Sequence, residues 1–280
     1  MSNFDEMRGQ AWNRLWKGLW FWKLLGSSLL LGVCASAANA VLRGIMGRLG
    51  MVEFMGYLKA LYGMNPNGME SVANISVPAM LSASCLEAFL MVIMGGIAAY
   101  GTAVVALKCA RNDESRWMAE AFGGFADPLG LGLAKFLQSL VTTVGFVLLI
   151  FPGFVALYRY RILFLVKADH PEWSAMRCFG ECGRMMDGRK WQLFLFDCSY
   201  WKIITVTMLP LLFASMLLPL AIDGESRDVK AMAALGMALL VLSVVPLAAV
   251  CGQYMSAGLA FFYEGIKQDQ QKGNENELVR

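Results

Sequence analysis

Long apolar stretches without charge recur along this chain, and their length constrains the fold more than any other feature. The stretches 24–42, 136–158, 203–222 and 231–263 contain no Asp, Glu, Lys or Arg. A hydrocarbon core about 30 Å thick needs about 20 helical residues at about 1.5 Å each. Because backbone polar groups in lipid must be satisfied within the segment, such stretches form helices. The sequence therefore predicts an all-α, polytopic transmembrane helical bundle.

The composition supports this class. Hydrophobic residues make up 58% of the 280 residues and charged residues 16%, against about 25% charged residues in ordinary soluble domains. A soluble protein of this length could bury a large core, but its helices would still need polar faces, which several segments here lack. The net charge of +3 does not indicate nucleic acid as a partner. Membrane lipids are the expected surroundings, and no cofactor is predicted.

The predicted order of segments makes one integral membrane domain of residues 1–280. It consists of an interfacial helix at 1–23, a helical bundle at 24–263 and a polar tail at 264–280. The six predicted spans are about 24–42, 78–107, 131–151, 153–167, 203–222 and 231–263. The fourth is short and carries Arg159 and Arg161 after Pro152. It either returns through the membrane or continues the third helix past a proline kink.

The distribution of positive charge helps to choose between span numbers. With six spans and both termini in the cytoplasm, fifteen Lys and Arg lie on the cytoplasmic side and five on the other. A five-span alternative moves 167–190 and the tail to the other side and reverses the ratio for eight of these charges. The positive-inside rule favours six spans, with both termini cytoplasmic in a multi-pass plasma-membrane protein.

Residues 8–23 have the pattern of an amphipathic helix. Trp12, Trp16 and Trp20 recur at every fourth position, and Trp prefers the boundary between membrane and water. A basic, Trp-rich helix before a span is typical of an in-plane anchor. A signal peptide cleaved after Ala35-Ser36-Ala37 is the less favoured alternative, because the flank before the apolar stretch is long for an n-region.

The segment 169–190 is predicted to form a helix on the cytoplasmic side. Pro171 suits its first turn and Gly188 its C-terminal cap. A helix with alternating charges suits docking to a partner protein. The candidate docking residues, spaced to pair along one face, are Arg177, Glu181 and Arg184.

Polar groups at membrane depth are costly and are functional candidates by default. The candidates here are Glu87, Arg159, Arg161, Asp197 and Gln253. Arg161 and Asp197 each lie about 10 Å from the cytoplasmic end of adjacent antiparallel helices, which predicts an ion pair. The alternative is that each side chain reaches the headgroups separately.

Stripes of small residues predict where helices pack closely in lipid. Ala248, Gly252, Ser256 and Ala260 recur at every fourth position in the last span, and Gly95 and Ala99 do so in the second. We expect these stripes to join helices of one chain. A homodimer seam is possible but is the less favoured alternative.

The sequence contains no recognised catalytic motif. The seven cysteines include no Cys-x-x-Cys pair, and His170 is the only histidine, so no metal site is predicted. No His-Glu-x-x-His, Gly-x-Ser-x-Gly or phosphate loop occurs in the sequence. Pro152, Pro210 and Pro246 interrupt predicted spans, and broken helices line the sites of some transporters.

A local signature runs through residues 151–199. It comprises Phe151-Pro152-Gly153, Tyr158-x-Tyr160, Ala168-Asp169-His170-Pro171, Ser174-Ala175, Met185-Met186-x-Gly188-x-Lys190, Leu193-Phe194 and Asp197-x-Ser199. It resembles an uncharacterised family of bacterial polytopic membrane proteins, domain of unknown function 975, most specifically over about residues 130–200.

This resemblance implies a bundle of about six spans in a bacterial plasma membrane and implies no reaction. The family usually has Asn where this chain has His170. More distantly, the chain resembles the membrane domain of some glycerophosphodiester phosphodiesterases, without their catalytic domain.

The sequence favours a non-enzymatic membrane protein that binds or organises a partner protein or a lipid. The alternative is a small-solute or lipid transporter, and an intramembrane enzyme is the least favoured class. Transport predicts a polar cavity near mid-membrane that Glu87 or Gln253 reaches. Docking predicts a tightly packed bundle with an exposed charged helix.

Overall fold

A computed structural model describes residues 2–46, 77–223 and 227–278, and within these ranges the regular structure is helical. The α-helices are α1 Ser2–Trp16, α2 Trp20–Met46, α3 Val77–Arg111, α4 Trp117–Ala121, α5 Pro128–Leu148, α6 Ile150–Arg159, α7 Leu163–Asp169, α8 Ala175–Met185, α9 Lys190–Cys198, α10 Trp201–Asp223 and α11 Arg227–Leu278. The all-α class is confirmed for the described residues.

Four helices in the described ranges are long and apolar enough to cross a membrane. Their qualifying stretches are Trp20–Leu42, Cys85–Arg111, Pro128–Leu148 and Ala231–Lys272. A fifth candidate is the pair Lys190–Cys198 and Trp201–Leu217, which is bent by 52° at the break between α9 and α10. The predicted segment 153–167 is not one long helix, because it divides between α6 and α7.

The long helices pack as antiparallel pairs. In the pair of α2 and α3, Leu31 lies against Gly101. In the pair of α10 and α11, Leu217 lies against Gly236. The third pair is made by α5 and the segment that follows it. Within each pair, packing of one helix against the other covers only part of the apolar surface.

The third pair begins at a cap and turns at a single residue. Asp127 Oδ1 accepts a hydrogen bond from the Gly130 N–H at 3.0 Å, and Pro128 occupies the first turn of α5. Asp127 is thus the N-cap of α5, and the proline suits the first turn because that position needs no N–H donor. Leu149 is extended, with a φ of −161° and a ψ of 146°, and the chain reverses there.

The segment after Leu149 lies back along α5. Gly153 of α6 lies so close to Gly145 of α5 that a Cβ on Gly145 would be 2.9 Å from the Gly153 Cα. Further along, Gln138 Nε2 donates a hydrogen bond to the Tyr160 carbonyl at 2.9 Å. The chain therefore doubles back, and continuation of the third helix past a proline kink is wrong.

The buried core lies toward one end of the bundle. We call this the charged end; it is formed by α1, the C-terminal half of α3, α4, α7, α8, α9 and residues 254–278 of α11. The largest fully buried side chains in these elements, or directly beside them in the chain, include Trp20, Tyr200, Tyr263, Phe196, Leu15 and Ile162. Away from this end, α2, α5, α10 and α11 expose large apolar side chains, such as Leu29, Val147, Leu212 and Leu242.

The N-terminal segment differs from the predicted helix at 8–23. The helix α1 starts at Ser2 and ends at Trp16, and a 3-10 turn at Lys17–Leu19 separates it from α2. Leu19 has a φ of 59°, which an α-helix cannot accommodate. Ala11 and Leu15 are fully buried in the core, so α1 packs on the bundle through one face.

The prediction that prolines interrupt the spans is wrong for Pro210 and Pro246. Pro210 and Pro246 lie inside continuous helices, and Pro152 lies in the first turn of α6 rather than at the break. The polar tail is helical as far as Leu278. The loop between the first two spans lies outside the described residues.

Candidate functional site

The helix α8 is held by its cap and by its apolar face. Ser174 Oγ accepts a hydrogen bond from the Arg177 N–H at 3.3 Å, which starts the helix after Ser174 rather than at Pro171 as predicted. Cys178, Cys182 and Met185 are buried in the core. One face of α8 is therefore immobilised, and the opposite face is presented to the surroundings.

The exposed face of α8 is the candidate docking face, formed by Met176, Arg177, Glu181 and Arg184. Arg184 Nη2 pairs with Glu181 Oε2 at 2.7 Å. The Arg177 guanidinium lies 4.3 Å from the centre of the Trp173 ring, a cation–π contact, so its position is set by an aromatic ring as well as by charge. Met176 is 62% exposed.

The predicted ion pair between Arg161 and Asp197 is confirmed. Arg161 Nη1 lies 2.5 Å from Asp197 Oδ2, and both side chains are largely buried. The pair joins the turn between α6 and α7 to α9. Removing one member would leave an uncompensated charge in a poorly solvated place.

Asp169 links three helices and was not singled out by the sequence. Its carboxylate accepts hydrogen bonds from Arg111 Nη2 at 2.7 Å, Lys267 Nζ at 2.5 Å and Tyr263 Oη at 3.1 Å. Burial alone would raise the pKa of Asp169, but the hydrogen bonds and charges of Lys267 and Arg111 outweigh burial and hold it below its ordinary value. The partners come from positions 58 and 98 residues away, so no local pattern announces them.

Two buried lysines tie loops to the charged end. Lys108 Nζ donates to the Ser115 carbonyl at 2.5 Å and to Glu120 Oε1 at 2.9 Å. Asp113 also contacts Lys108 at 3.2 Å. Hydrogen bonds from Ser115, followed by that from Lys108, lower the pKa of Asp113 to about 2. These contacts fix the turn that follows α3.

Lys167 does the same for the turn before α8. Its Nζ donates to the carbonyls of Pro171 at 3.0 Å and Trp173 at 2.7 Å and lies 3.5 Å from Asp127 Oδ2. A satisfied buried cation can hold backbone in one arrangement. Trp173, whose ring contacts Arg177 of the docking face, is therefore held in place through its own carbonyl group.

A cleft of about 160 Å³ lies between α3, α7 and α11. Its polar lining includes Thr102, Arg161 and Ser256. Gln253 instead donates a hydrogen bond to Ser28 Oγ at 3.2 Å. Glu87 is half-buried on α3 and engaged in an interaction of its own. Neither Gln253 nor Glu87 lines this cleft.

Two further cationic side chains lie in the hairpin of α5 and α6. Lys135, which the sequence analysis missed, is half-buried in α5 with its Nζ 5.9 Å from the centre of the Phe164 ring. Arg159 lies over Gly183 of α8, and its buried Nε has no hydrogen-bond acceptor among the described residues. Lys135 could have been found as a charge seven residues into an apolar helix.

The small-residue stripes divide between contact and open space. In α3, a Cβ added to Gly95 would lie 3.9 Å from Lys135 Cε, and Ala99 lines the cleft. In α11, Ala260 is buried and Ser256 lines the cleft, but Ala248 and Gly252 are exposed. The stripes therefore contact neighbours only toward the charged end.

Four of the seven cysteines are buried, namely Cys109, Cys178, Cys182 and Cys251. Burial raises the pKa of Cys182 to about 12, and its Sγ donates to the Arg159 carbonyl at 3.2 Å. His170 stacks on Trp173 with ring centres 3.9 Å apart. Within the described ranges, no group of three His, Cys, Asp or Glu side chains could hold a metal ion.

Comparison of the whole chain with models of known families, with curated proteins and with solved structures found no match. The features that bear on function are the docking face, the ion pairs and the exposed apolar helices.

Proposed function

We propose that this chain is a non-enzymatic, multi-pass protein of a bacterial plasma membrane that binds or organises a partner protein or a lipid. The assigned surface for a partner protein is the docking face on α8. The observation that carries this proposal is the two-sided character of α8. Its inner face is buried in the core, and its outer face presents two arginines held by neighbouring side chains and an exposed methionine.

The membrane setting is supported by apolar surface that the chain leaves uncovered. None of the most apolar 18-residue window of α11 is buried. Soluble monomers rarely expose contiguous apolar patches of more than a few hundred Å². Lipid is the medium in which such helices are stable.

The sidedness follows from charge. We propose six membrane-inserted segments with both termini in the cytoplasm, because fifteen Lys and Arg then lie on that side and five on the other. The charged end, which includes α8, is then cytoplasmic. The docking face is open to soluble proteins there.

A photo-crosslinking residue at Met176, introduced in cells, tests the docking face. We expect a crosslinked product of defined mass, which is lost in the double variant Arg177→Glu and Arg184→Glu because the complementary charge is removed. Lys272→Glu is the matched control, with one charge reversed on the exposed cytoplasmic part of α11. A product that survives the double reversal, or that Lys272→Glu abolishes equally, contradicts the assignment.

A small-solute or lipid transporter is the second candidate, favoured by the cleft that Arg161 lines. In reconstituted liposomes, a transporter would give substrate-dependent flux that Thr102→Leu blocks by filling the cleft. Gly252→Leu is the control, because its Cβ meets open space. Flux that is insensitive to Thr102→Leu excludes this cleft as the route.

A further inference from the structure

The tip of the hairpin formed by α5 and α6 is entirely apolar. The 20 residues 139–158 carry no charge. Five consecutive residues at the turn are strongly exposed: Val147 80%, Leu148 70%, Leu149 68%, Ile150 71% and Phe151 79%. Such a surface is stable only where water does not reach it.

The other two connections between paired long helices differ in sequence. The connection between α2 and α3 contains Arg48 and Lys59, and that between α10 and α11 contains Glu225. Charged residues are expected where a turn emerges into water. The turn at Leu149 lacks them.

The distance between charges is too short for two crossings. Lys135 on the outward leg and Arg159 on the returning leg are separated by 23 uncharged residues. One crossing needs about 20 helical residues, and two need about 40. Since the chain reverses at Leu149, each leg extends only about 15–20 Å beyond its charge, against about 30 Å of hydrocarbon.

We propose that α5 and α6 form a re-entrant hairpin, which enters the hydrocarbon from the cytoplasmic face, turns inside it and returns to the same face. This inference rests on the proposed membrane setting and deepens it. Four helices, α2, α3, α10 and α11, then cross completely. Because the hairpin begins and ends on one side, the charge distribution and the sidedness of both termini are unchanged.

The base of the hairpin has the composition of a membrane boundary. Arg161 on the returning leg is paired with Asp197 at 2.5 Å. Arg161 and Ser256 line the same cleft, and Gly258, two residues beyond Ser256, contacts Tyr200. Trp201, which follows Tyr200 in the chain, is 60% exposed. Exposed tryptophan is typical of the boundary between membrane and water.

At the turn, Leu149 satisfies both of its backbone polar groups within the chain. Irregular backbone exposed to lipid is excluded when its polar groups are unsatisfied. The Leu149 N–H donates to the Gly145 carbonyl at 3.1 Å, and the Leu149 carbonyl accepts from the Gly153 N–H at 3.3 Å. The single extended residue therefore keeps both of its hydrogen bonds.

The hairpin has a direct consequence for lipid. A pair of helices that occupies the cytoplasmic leaflet displaces lipid there without displacing an equal amount in the other leaflet. The partner of the apolar tip is thus acyl chain at mid-bilayer, and the hairpin is the lipid-contacting part of the proposed function.

Azide-bearing residues introduced singly at Leu149 and Phe151 test this inference with a membrane-impermeant alkyne dye. Dye is applied to intact cells and, separately, to inside-out vesicles. Glu225 is the outside control and Asp187 the cytoplasmic control. We expect labelling at 149 and 151 to be lost from both sides while each control labels from its own side. Labelling of 149 or 151 from outside overturns the hairpin.

Quenching by brominated lipids supplies the depth. A fluorescent residue at 149 in reconstituted protein should be quenched most by bromine at the ends of the acyl chains. Stronger quenching by bromine close to the headgroups overturns the hairpin even when the dye does not reach it. If instead Glu225 and Asp187 label from the same side, the proposed sidedness fails, and the two failures are distinguished.

Discussion

The Asp169 carboxylate accepts hydrogen bonds from three donors on α3 and α11. Protonation of this carboxylate would weaken those hydrogen bonds, because the neutral acid is a poorer acceptor for cationic donors. Its pKa lies below the ordinary value in the folded protein. The stabilisation is therefore complete above the unfolded pKa, about 4, and is lost as the pH falls through the lower folded value. The charged end should loosen in acid for this reason.

Asp169→Asn should lower the thermal midpoint in detergent at pH 7 and flatten its fall below about pH 4, because the acid-sensitive contribution of a native carboxylate is removed. Thermal unfolding measured from pH 3 to 7 checks this. Asp187→Asn, at an exposed site, is the control. An Asp169→Asn profile parallel to wild type would show that the carboxylate adds no pH-dependent stability.

The Arg161–Asp197 pair predicts a rescue experiment. Asp197→Arg should cost about 3–5 kcal/mol, because breaking a buried pair leaves unpaired charge. Adding Arg161→Asp should recover part of that loss in the detergent melting midpoint. If the single variant is no more damaged than the double variant, the two side chains do not stabilise the fold as a pair.

Among individual residues, the sequence predicted this pair correctly because both charges stand out in apolar segments at similar depth. It missed Asp169 and Lys135 for different reasons. The partners of Asp169 lie far along the chain. Lys135 lies in the predicted third span, but it was not included among the candidate polar residues.

At the scale of elements, the close crossing of α3 and α5 depends on glycine. A Cβ on Gly96 would lie 2.5 Å from the Leu131 carbonyl oxygen, and a Cβ on Gly132 would lie 2.8 Å from an Ile93 side-chain carbon. The backbones approach closely only because both positions lack a side chain.

Gly96→Ala should therefore destabilise the protein by about 1–3 kcal/mol through overpacking. Gly252→Ala in α11 is the matched control, since a Cβ there meets nothing within 4 Å, and it should be neutral or slightly stabilising. Melting midpoints of the two variants in one detergent provide the comparison. Equal midpoints would argue against a tight crossing at Gly96.

The helix α1 should behave as part of the bundle. Leu15 is fully buried, whereas Leu19, one turn later, is 65% exposed. Leu15→Ala should cost about 2–5 kcal/mol and Leu19→Ala much less. Thermal unfolding distinguishes them; equal small effects would mean that α1 is an independent surface anchor.

At the scale of the whole molecule, uncovered apolar helices predict how the protein partitions. It should remain in the pellet after alkaline carbonate extraction of membranes and require detergent for solubility, because its apolar surface has no other cover. Recovery of folded, monodisperse protein from a detergent-free extract would refute the membrane setting.

The sequence by itself determined the helical class and the placement of the long apolar segments, because lipid demands internally bonded backbone over a minimum length. The cap at Asp127 was also local and therefore readable. Only the tertiary structure decided that the reversal after the third helix falls at Leu149, that α11 continues through its polar end and that Asp169 binds cations of α3 and α11. Those outcomes depend on contacts between distant segments, which hydropathy and spacing along the chain do not encode.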